Sequence, residues 1–318
     1  MRWEDVQDGV IIGADLGGTT VSAGLVTREG EVLTHFQEPT RKGGPGTALT
    51  TLLDLLDRLR ATARSRGIEV TGIGVGVPGT VDAERGTVGS AIHYVPELAS
   101  TPLADTIAQR LAVPVFVDND VNVLALGEWM FGSGRGARSL VVLALGTGVG
   151  GGIILDGRLH RGQGGFGGEL GHVPINFDGR PCICGGRGCL KAYVSGTDIA
   201  LQGEARLKRP VDAATVFLLA ERGDPVAREI VAEVCQALGA GLAVIVNGLN
   251  PERLLLAGSV AKSLKSLEDE VRAQTARYAF RQALGSTHIE ILTMDKDATV
   301  RGGAALVAYE TQRRSGAI

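Results

Sequence analysis

The sequence predicts an α/β fold built from two similar halves around a cleft. Three observations carry this reading. A strand, glycine turn, strand layout at residues 10–27 recurs at 140–155. Apolar strand-like runs alternate with helical stripes, as in layered α/β domains. Glycine makes up 47 of the 318 residues and gathers at a few turns, with no repeat period and no serine tracts. That distribution fits backbone that approaches ligands closely.

In chain order, Val10–Asp15 reads as a buried strand, Gly17-Gly18 as a tight turn and Val21–Thr27 as the returning strand. Leucines at 49, 52, 53, 56 and 59 give Leu49–Ala63 a helical stripe. Thr71–Val77 is a strand ending in Pro78-Gly79. Asp105–Leu111 is helical, Val113–Val117 is a strand, and a helix follows from about Val121 to Met130. The second half opens near Phe131, with strands at Leu140–Leu145 and Ile153–Leu155 flanking a glycine turn at Gly146–Gly152. Helices are expected at Asp212–Arg222, Pro225–Leu249 and Gly302–Glu310, with a short strand at Leu254–Leu256. The predicted domains are 1–124, completed by the terminal helix 301–318, and 125–300, which carries a zinc-binding segment at 172–189.

Composition narrows the function. Hydrophobic residues are 44% and charged residues 21%, ordinary for a globular enzyme. A net charge of -3 gives no basic footprint for nucleic acid or an anionic membrane. The first eight residues are polar, and no uninterrupted apolar stretch approaches membrane-span length, so a cytoplasmic protein is expected.

Three of the four cysteines, Cys182, Cys184 and Cys189, lie within eight residues, and His172 is ten residues upstream. Four such ligands match a closed tetrahedral Cys3His zinc site, which is structural because no coordination position stays open. Cys235 falls in an apolar helical pattern and reads as core. Glu169 stands three residues before His172, so a metal knot there would hold a carboxylate in place.

Asp15-Leu16-Gly17-Gly18-Thr19 follows a strand directly. Its glycines open the backbone N–H groups to a phosphate, Thr19 adds a hydroxyl, and Asp15 could reach Mg2+ through water; a hairpin turn with a capping Asp is the simpler alternative. Gly146-Thr147-Gly148 is a second such turn, and Ala257-Gly258-Ser259 would suit the flat face of a nucleoside. Asp118-Asn119-Asp120 sits at a strand end before a helix. Asn119 can donate to and accept from a polyol, and Asp120 can take the proton of an attacking hydroxyl. Helix capping explains these residue types equally well.

Together these stretches resemble the ROK family of repressors, open reading frames and sugar kinases, part of the hexokinase–actin–Hsp70 group. The resemblance runs from Val10 to about Tyr309. It rests on D-L-G-G-T at 15–19, G-V-P-G-T-V-D at 76–82, V-D-N-D-V-N at 117–122, L-G-T-G-V-G-G-G at 145–152, G-G-E-L-G-H at 167–172 and C-I-C-G-G-R-G-C at 182–189. It implies a two-domain actin-like ATPase (ribonuclease H-like) fold with a structural zinc site. It also implies an ATP- and Mg2+-dependent kinase for a hexose such as glucose, acting as a homodimer. By resemblance, Asp15, Gly17, Gly18, Thr19, Gly146, Thr147 and Gly148 hold phosphate, and Gly258 lies near adenosine. Asp120 is the base; Gly79, Asn119, Glu169 and His172 line the sugar; and His172, Cys182, Cys184 and Cys189 bind zinc.

Two positions depart from the family pattern. Lys191 stands where the family has Glu after the third cysteine, and Tyr94 occupies the position of an Asn. Both changes fall on the expected sugar site. They raise the alternative of a modified acceptor, such as an amino sugar, an N-acetylhexosamine or a C7-cyclitol, with Lys191 as a contact. A weakly catalytic sugar-binding protein and a sugar-responsive repressor are the other readings. The repressor is disfavoured here because only about nine residues precede the first strand.

Overall fold

The computed structural model describes residues 9–90, 92, 94–293 and 297–317. Met1–Asp8, read above, lie outside these. The chain divides into two compact units. The first comprises 1–136, 158–167 and 295–318; the second comprises 137–157 and 168–294.

In the first unit, β1 (Val10–Leu16), β2 (Thr20–Val26) and β3 (Val32–Pro39) form an antiparallel meander. Helix α1 (Ala48–Ser65) follows, then β4 (Val70–Val77) and the small hairpin of β5 (Val81–Asp82) and β6 (Thr87–Val88). Next come α2 (Leu103–Leu111), β7 (Val115–Asn119) and α3 (Asp120–Phe131). The large sheet runs β3–β2–β1–β4–β7, with β4 and β7 parallel to β1. On α1, Leu52, Leu56 and Leu59 of the leucine stripe are buried against this sheet's core with Leu55 beside them, while Leu49 and Leu53 are only partly buried.

The second unit begins with β8 (Leu140–Leu145) and β9 (Val149–Leu155), again an antiparallel hairpin. The chain passes through β10 (Arg158–Leu159), which clusters with the first unit, and returns for α4 (Lys191–Val194), α5 (Gly196–Leu207), α6 (Ala213–Glu221) and α7 (Pro225–Leu249). It then forms β11 (Arg253–Ala257), α8 (Ser259–Leu264), α9 (Glu268–Ala276), α10 (Arg281–Ser286) and β12 (His288–Ile291). Strands of this unit order as β9–β8–β11–β12, with β11 and β12 parallel to β8. Both units therefore share one plan, a hairpin whose first strand continues into parallel neighbours. That is the repeat expected from the two glycine turns.

The second glycine turn is shorter than predicted. Gly150, Gly151 and Gly152 belong to β9 and pair with Ala144, Leu143 and Val142, so the turn is only Gly146–Gly148. Helix α7, with 25 residues, holds a window long and apolar enough on average to cross a membrane, although Arg228, Glu229, Glu233, Gln236 and Asn247 interrupt the helix. Two thirds of that window, 67%, is buried in the second unit's core.

The terminal helix α11 (Ala298–Arg314) returns to the first unit and crosses β1 and β4 at backbone distance. A Cβ on Gly13 would come within 1.9 Å of the Val300 carbonyl, and one on Gly74 within 1.9 Å of the Gly303 carbonyl. Only glycine at both strand positions admits the helix. Helix α3 lies against α11 in the same unit, so the unit continues to Gly136 and does not break at 124, a point that would divide α3.

Candidate active site

The end of β7 and the start of α3 place Asp118, Asn119 and Asp120 together. Asn119 is the N-cap of α3. Its Oδ1 accepts from Val121 N at 2.9 Å and Asn122 N at 3.2 Å. Its Nδ2 donates to Gly79 O and to Asp120 Oδ1, both at 3.0 Å. Two acceptor and two donor positions exhaust a carboxamide. Asn119 thus orients its neighbours and has no unused pair to present, unlike the free polyol contact read from sequence. A ligand hydroxyl reaching it would displace the Gly79 carbonyl or Asp120.

Asp120 Oδ1 takes the Val121 N–H at 2.9 Å and the Asn119 amide. Its pKa is pushed up to about 7, first by loss of solvent and then by the charge of Asp15, against the Val121 and Asn119 hydrogen bonds. Burial likewise lifts Asp15 to about 6, opposed by the Thr299 hydroxyl at the start of α11. Both carboxylates keep some accessible surface while being ringed by protein. This suits one of them to proton transfer near neutrality.

Behind this turn lies a buried charged chain. Asp118, 2% exposed, accepts the Asn119 N–H at 2.7 Å and Asn122 Nδ2 at 3.0 Å through Oδ1. Its Oδ2 takes Arg161 Nε at 2.7 Å, while Arg161 Nη2 reaches Glu310 Oε1 at 2.6 Å. Glu310 also pairs with Arg313, at 2.8 Å. Arg161 and Arg313 line a cavity of about 850 Å³ together with Thr80, Arg85, Arg158 and Gly165; neither Asp15 nor Asp120 lines it.

The Asp15–Thr19 turn is held from outside. Thr40 Oγ1 donates to Gly17 O at 2.7 Å, and Arg41 Nη1 to Gly18 O at 3.1 Å. Arg41 also donates to Tyr94 O at 3.1 Å and is paired with Glu97 at 2.7 Å. Tyr94 lies over Gly18, whose added Cβ would sit 3.0 Å from the Tyr94 Cβ. Arg41 and Arg161 escaped the sequence reading because neither belongs to a recognisable motif.

In the second unit, Gly146 N donates to Gly148 O at 3.0 Å, closing the glycine turn. Thr147 at its tip is exposed. Gly258, with φ +100°, packs on this turn's stem: a Cβ there would meet Leu145 O at 2.5 Å.

His172, Cys182, Cys184 and Cys189 also converge in the second unit, their ligand atoms all within 4.8 Å of one another. Cys184 and Cys189 Sγ are 3.7 Å apart, and Cys182 Sγ is 3.5 Å from His172 Nδ1. A tetrahedron with Zn–S bonds of about 2.3 Å has S···S edges of about 3.8 Å, so the spacing fits the ion. The other ring nitrogen, Nε2, lies 4.0 Å from the half-exposed carboxylate of Glu169. Residues 170–172 form a single tight turn, which brings Glu169 and His172 to one side as expected.

Lys191 corrects an expectation. Its Nζ is 2.7 Å from Asp198 Oδ2 and its side chain is 14% exposed. It faces a protein carboxylate and is not held out for an acceptor.

Comparison with known proteins agrees with the layout. The family model described as ROK family matches residues 11–310. A glucokinase from Halalkalibacterium halodurans is 34% identical over 315 residues, covering 94% of this chain and 95% of that protein. A xylose repressor from Caldicellulosiruptor bescii is 31% identical over 313 residues, 94% of this chain and 78% of that protein. The crystal structure of a ROK family glucokinase from Streptomyces griseus in complex with glucose and AMPPNP superposes with a TM-score of 0.74. It is 31% identical and covers 94% of this chain and 99% of that one. A match that spans both glycine turns, the Asn119-Asp120 pair and the Cys/His cluster identifies the protein as a member of the ROK family.

Proposed function

We propose that the protein is an ATP-dependent carbohydrate kinase that transfers the γ-phosphoryl group to a hydroxyl, of the primary C6 type, on a hexose such as glucose. One observation carries this most directly. Asp120 is a carboxylate raised to about 7 and fixed by Asn119 at the start of α3, within a chain 34% identical to a glucokinase. A carboxylate so poised accepts the hydroxyl proton as the oxygen attacks phosphorus.

The other residues supply position and charge. The Asp15–Thr19 and Gly146–Gly148 turns offer backbone N–H groups and the Thr19 and Thr147 hydroxyls to phosphate oxygens. Mg2+ carried with ATP neutralises the phosphates, and Asp15 is the carboxylate suited to meet it through water. Glu169 accepts from sugar hydroxyls, and His172 is steadied beside it. His172, Cys182, Cys184 and Cys189 would hold a structural zinc ion, since four protein ligands leave no position for a reacting water. A cytoplasmic homodimer completes the reading.

The test is ADP release with MgATP across glucose, mannose, amino sugars, N-acetylhexosamines and cyclitols. Turnover with glucose that falls about 10²–10⁴-fold in Asp120→Asn supports the reading. Turnover only with a modified sugar keeps the kinase but replaces the acceptor. Sugar binding with no ADP release from any acceptor overturns catalysis and favours a regulatory protein, as the similarity to a xylose repressor allows.

A further inference from the structure

We propose that Lys191 is a positioning residue for the Gly146–Gly148 turn, acting through Asp198 and the first turn of α5. This rests on the reading of that turn as a holder of the donor's phosphates. It moves the Glu-to-Lys departure from the acceptor side of the reaction to the donor side.

The path is continuous and lies within the second unit. Leu190, fully buried, wedges against α7, where a Cβ on Gly241 would come 2.6 Å from its Cδ2. Residues Ala192 to Ser195 are buried as well, so Lys191 starts from a rigid stem. Its ammonium meets Asp198 Oδ2 at 2.7 Å. The Ser195 hydroxyl donates to the same oxygen, and Ser195 Oγ accepts the Asp198 N–H at 3.1 Å. Ser195 is the N-cap of α5 and Asp198 lies in its first turn, so the cap that fixes where the helix begins is itself tied to the Asp198 carboxylate.

The first residues of α5 then grip the turn. Gly196 N donates to Gly146 O at 2.7 Å, and Thr197 Oγ1 to Thr147 O at 3.0 Å. A trans peptide is planar, so a carbonyl and the following N–H point in opposite directions. Tying the Gly146 carbonyl to α5 therefore turns the Thr147 N–H away from α5. Tying the Thr147 carbonyl does the same for the Gly148 N–H. These are the two N–H groups such a turn offers to a phosphate.

Glutamate at 191 would set a carboxylate against Asp198 and push the start of α5 away. Lysine makes the contact attractive. A lysine on an acceptor contact would alter sugar affinity. A lysine in this path alters the aim of two backbone donors and leaves the sugar alone.

The experiment measures binding of Mg2+–AMPPNP and, separately, of glucose by calorimetry. The proteins are wild type, Lys191→Met, Lys191→Arg, Asp198→Asn and the Lys191→Met/Asp198→Asn double variant. Expected are an AMPPNP Kd raised about 5–20-fold in Lys191→Met and in Asp198→Asn, recovery in Lys191→Arg, and unchanged glucose affinity. The double variant should be no worse than either single one, because both break one path. An unchanged AMPPNP Kd, or weaker glucose binding with intact AMPPNP binding, overturns the proposal. Asp198→Asn decides the matter if Lys191→Met does not fold. Thr147→Ala separates the underlying reading: if it also leaves AMPPNP binding unchanged, the turn is not the phosphate holder. If only Thr147→Ala weakens binding, the turn stands and Lys191 has no part in it.

Discussion

Arg161 and Asp118 are joined by a charged hydrogen bond, Nε to Oδ2 at 2.7 Å, directly behind the residue pair that would handle the acceptor. The same guanidinium serves the buried Glu310 at 2.6 Å. Breaking a buried pair leaves uncompensated charge and costs about 3–5 kcal/mol, and here two carboxylates would lose their shared cation, with Arg313 left to Glu310 alone. Arg161→Met should lose about that much stability in urea melts at pH 8. A loss below about 1 kcal/mol at pH 8 would show the pair to be dispensable.

With Asp120 as the proposed base, the Asp15 and Asp120 carboxylates would set the pH response of catalysis. Their charges interact, so they titrate as a pair. The base must be ionised to act, and Asp120 stands at about 7. The profile of kcat/KM for the acceptor should therefore fall below pH about 7, by about tenfold per unit. Replacing Asp15 by Asn removes the neighbouring negative charge, which lowers the pKa of Asp120. The acid limb of that variant's residual activity should move to lower pH. A limb that stays in place would detach Asp15 from the titration. Asp120→Asn itself should lose about 10²–10⁴-fold in kcat.

The parts legible in the sequence were those whose partners are near in the chain. The hairpin of β1 and β2 was visible because both strands and their turn lie within residues 10–26. The Cys/His cluster was visible for the same reason, as its four ligands span 172–189. Arg161 was not, because its partners are 43 and 149 residues away. The approach of α11 to Gly13 and Gly74 was equally hidden: a glycine in a strand pattern does not say which distant backbone will lie on it. Lys191 was noticed by identity and misplaced by geometry. Its true partner, seven residues on, carried no signal until the turn between α4 and α5 brought the two together.

The Cys/His cluster gives a separate prediction about stability. Cys184 is held below the usual thiol range chiefly by the Gly186 N–H, while burial pushes Cys189 up to about 12. A cation is what would let such closely spaced sulfurs share one site as thiolates. The purified protein should contain about one zinc per chain by elemental analysis. Cys184→Ser should lose it and melt at least about 5 °C lower, since a ligand bound only by the folded state adds to its stability. Full zinc content in Cys184→Ser would remove that residue from the ligand set.

The raised pKa of Asp120 also predicts what the site costs the fold. Its carboxyl binds a proton up to about pH 7 when folded and only to about 3.9 when unfolded. Between those values the native state holds more protons, so stability falls as pH rises through the window, and the deficit is complete above 7. Asp120→Asn, nearly the same shape and always neutral, escapes this. It should match wild type near pH 4 and be more stable by roughly 2 kcal/mol at pH 8, a figure reduced for the carboxyl's residual solvent exposure. Urea denaturation of both proteins across pH 4–8 reads the difference directly. A gap that does not change with pH would mean that Asp120 is not held in a charge-disfavouring site, and its claim to be the base would weaken with it.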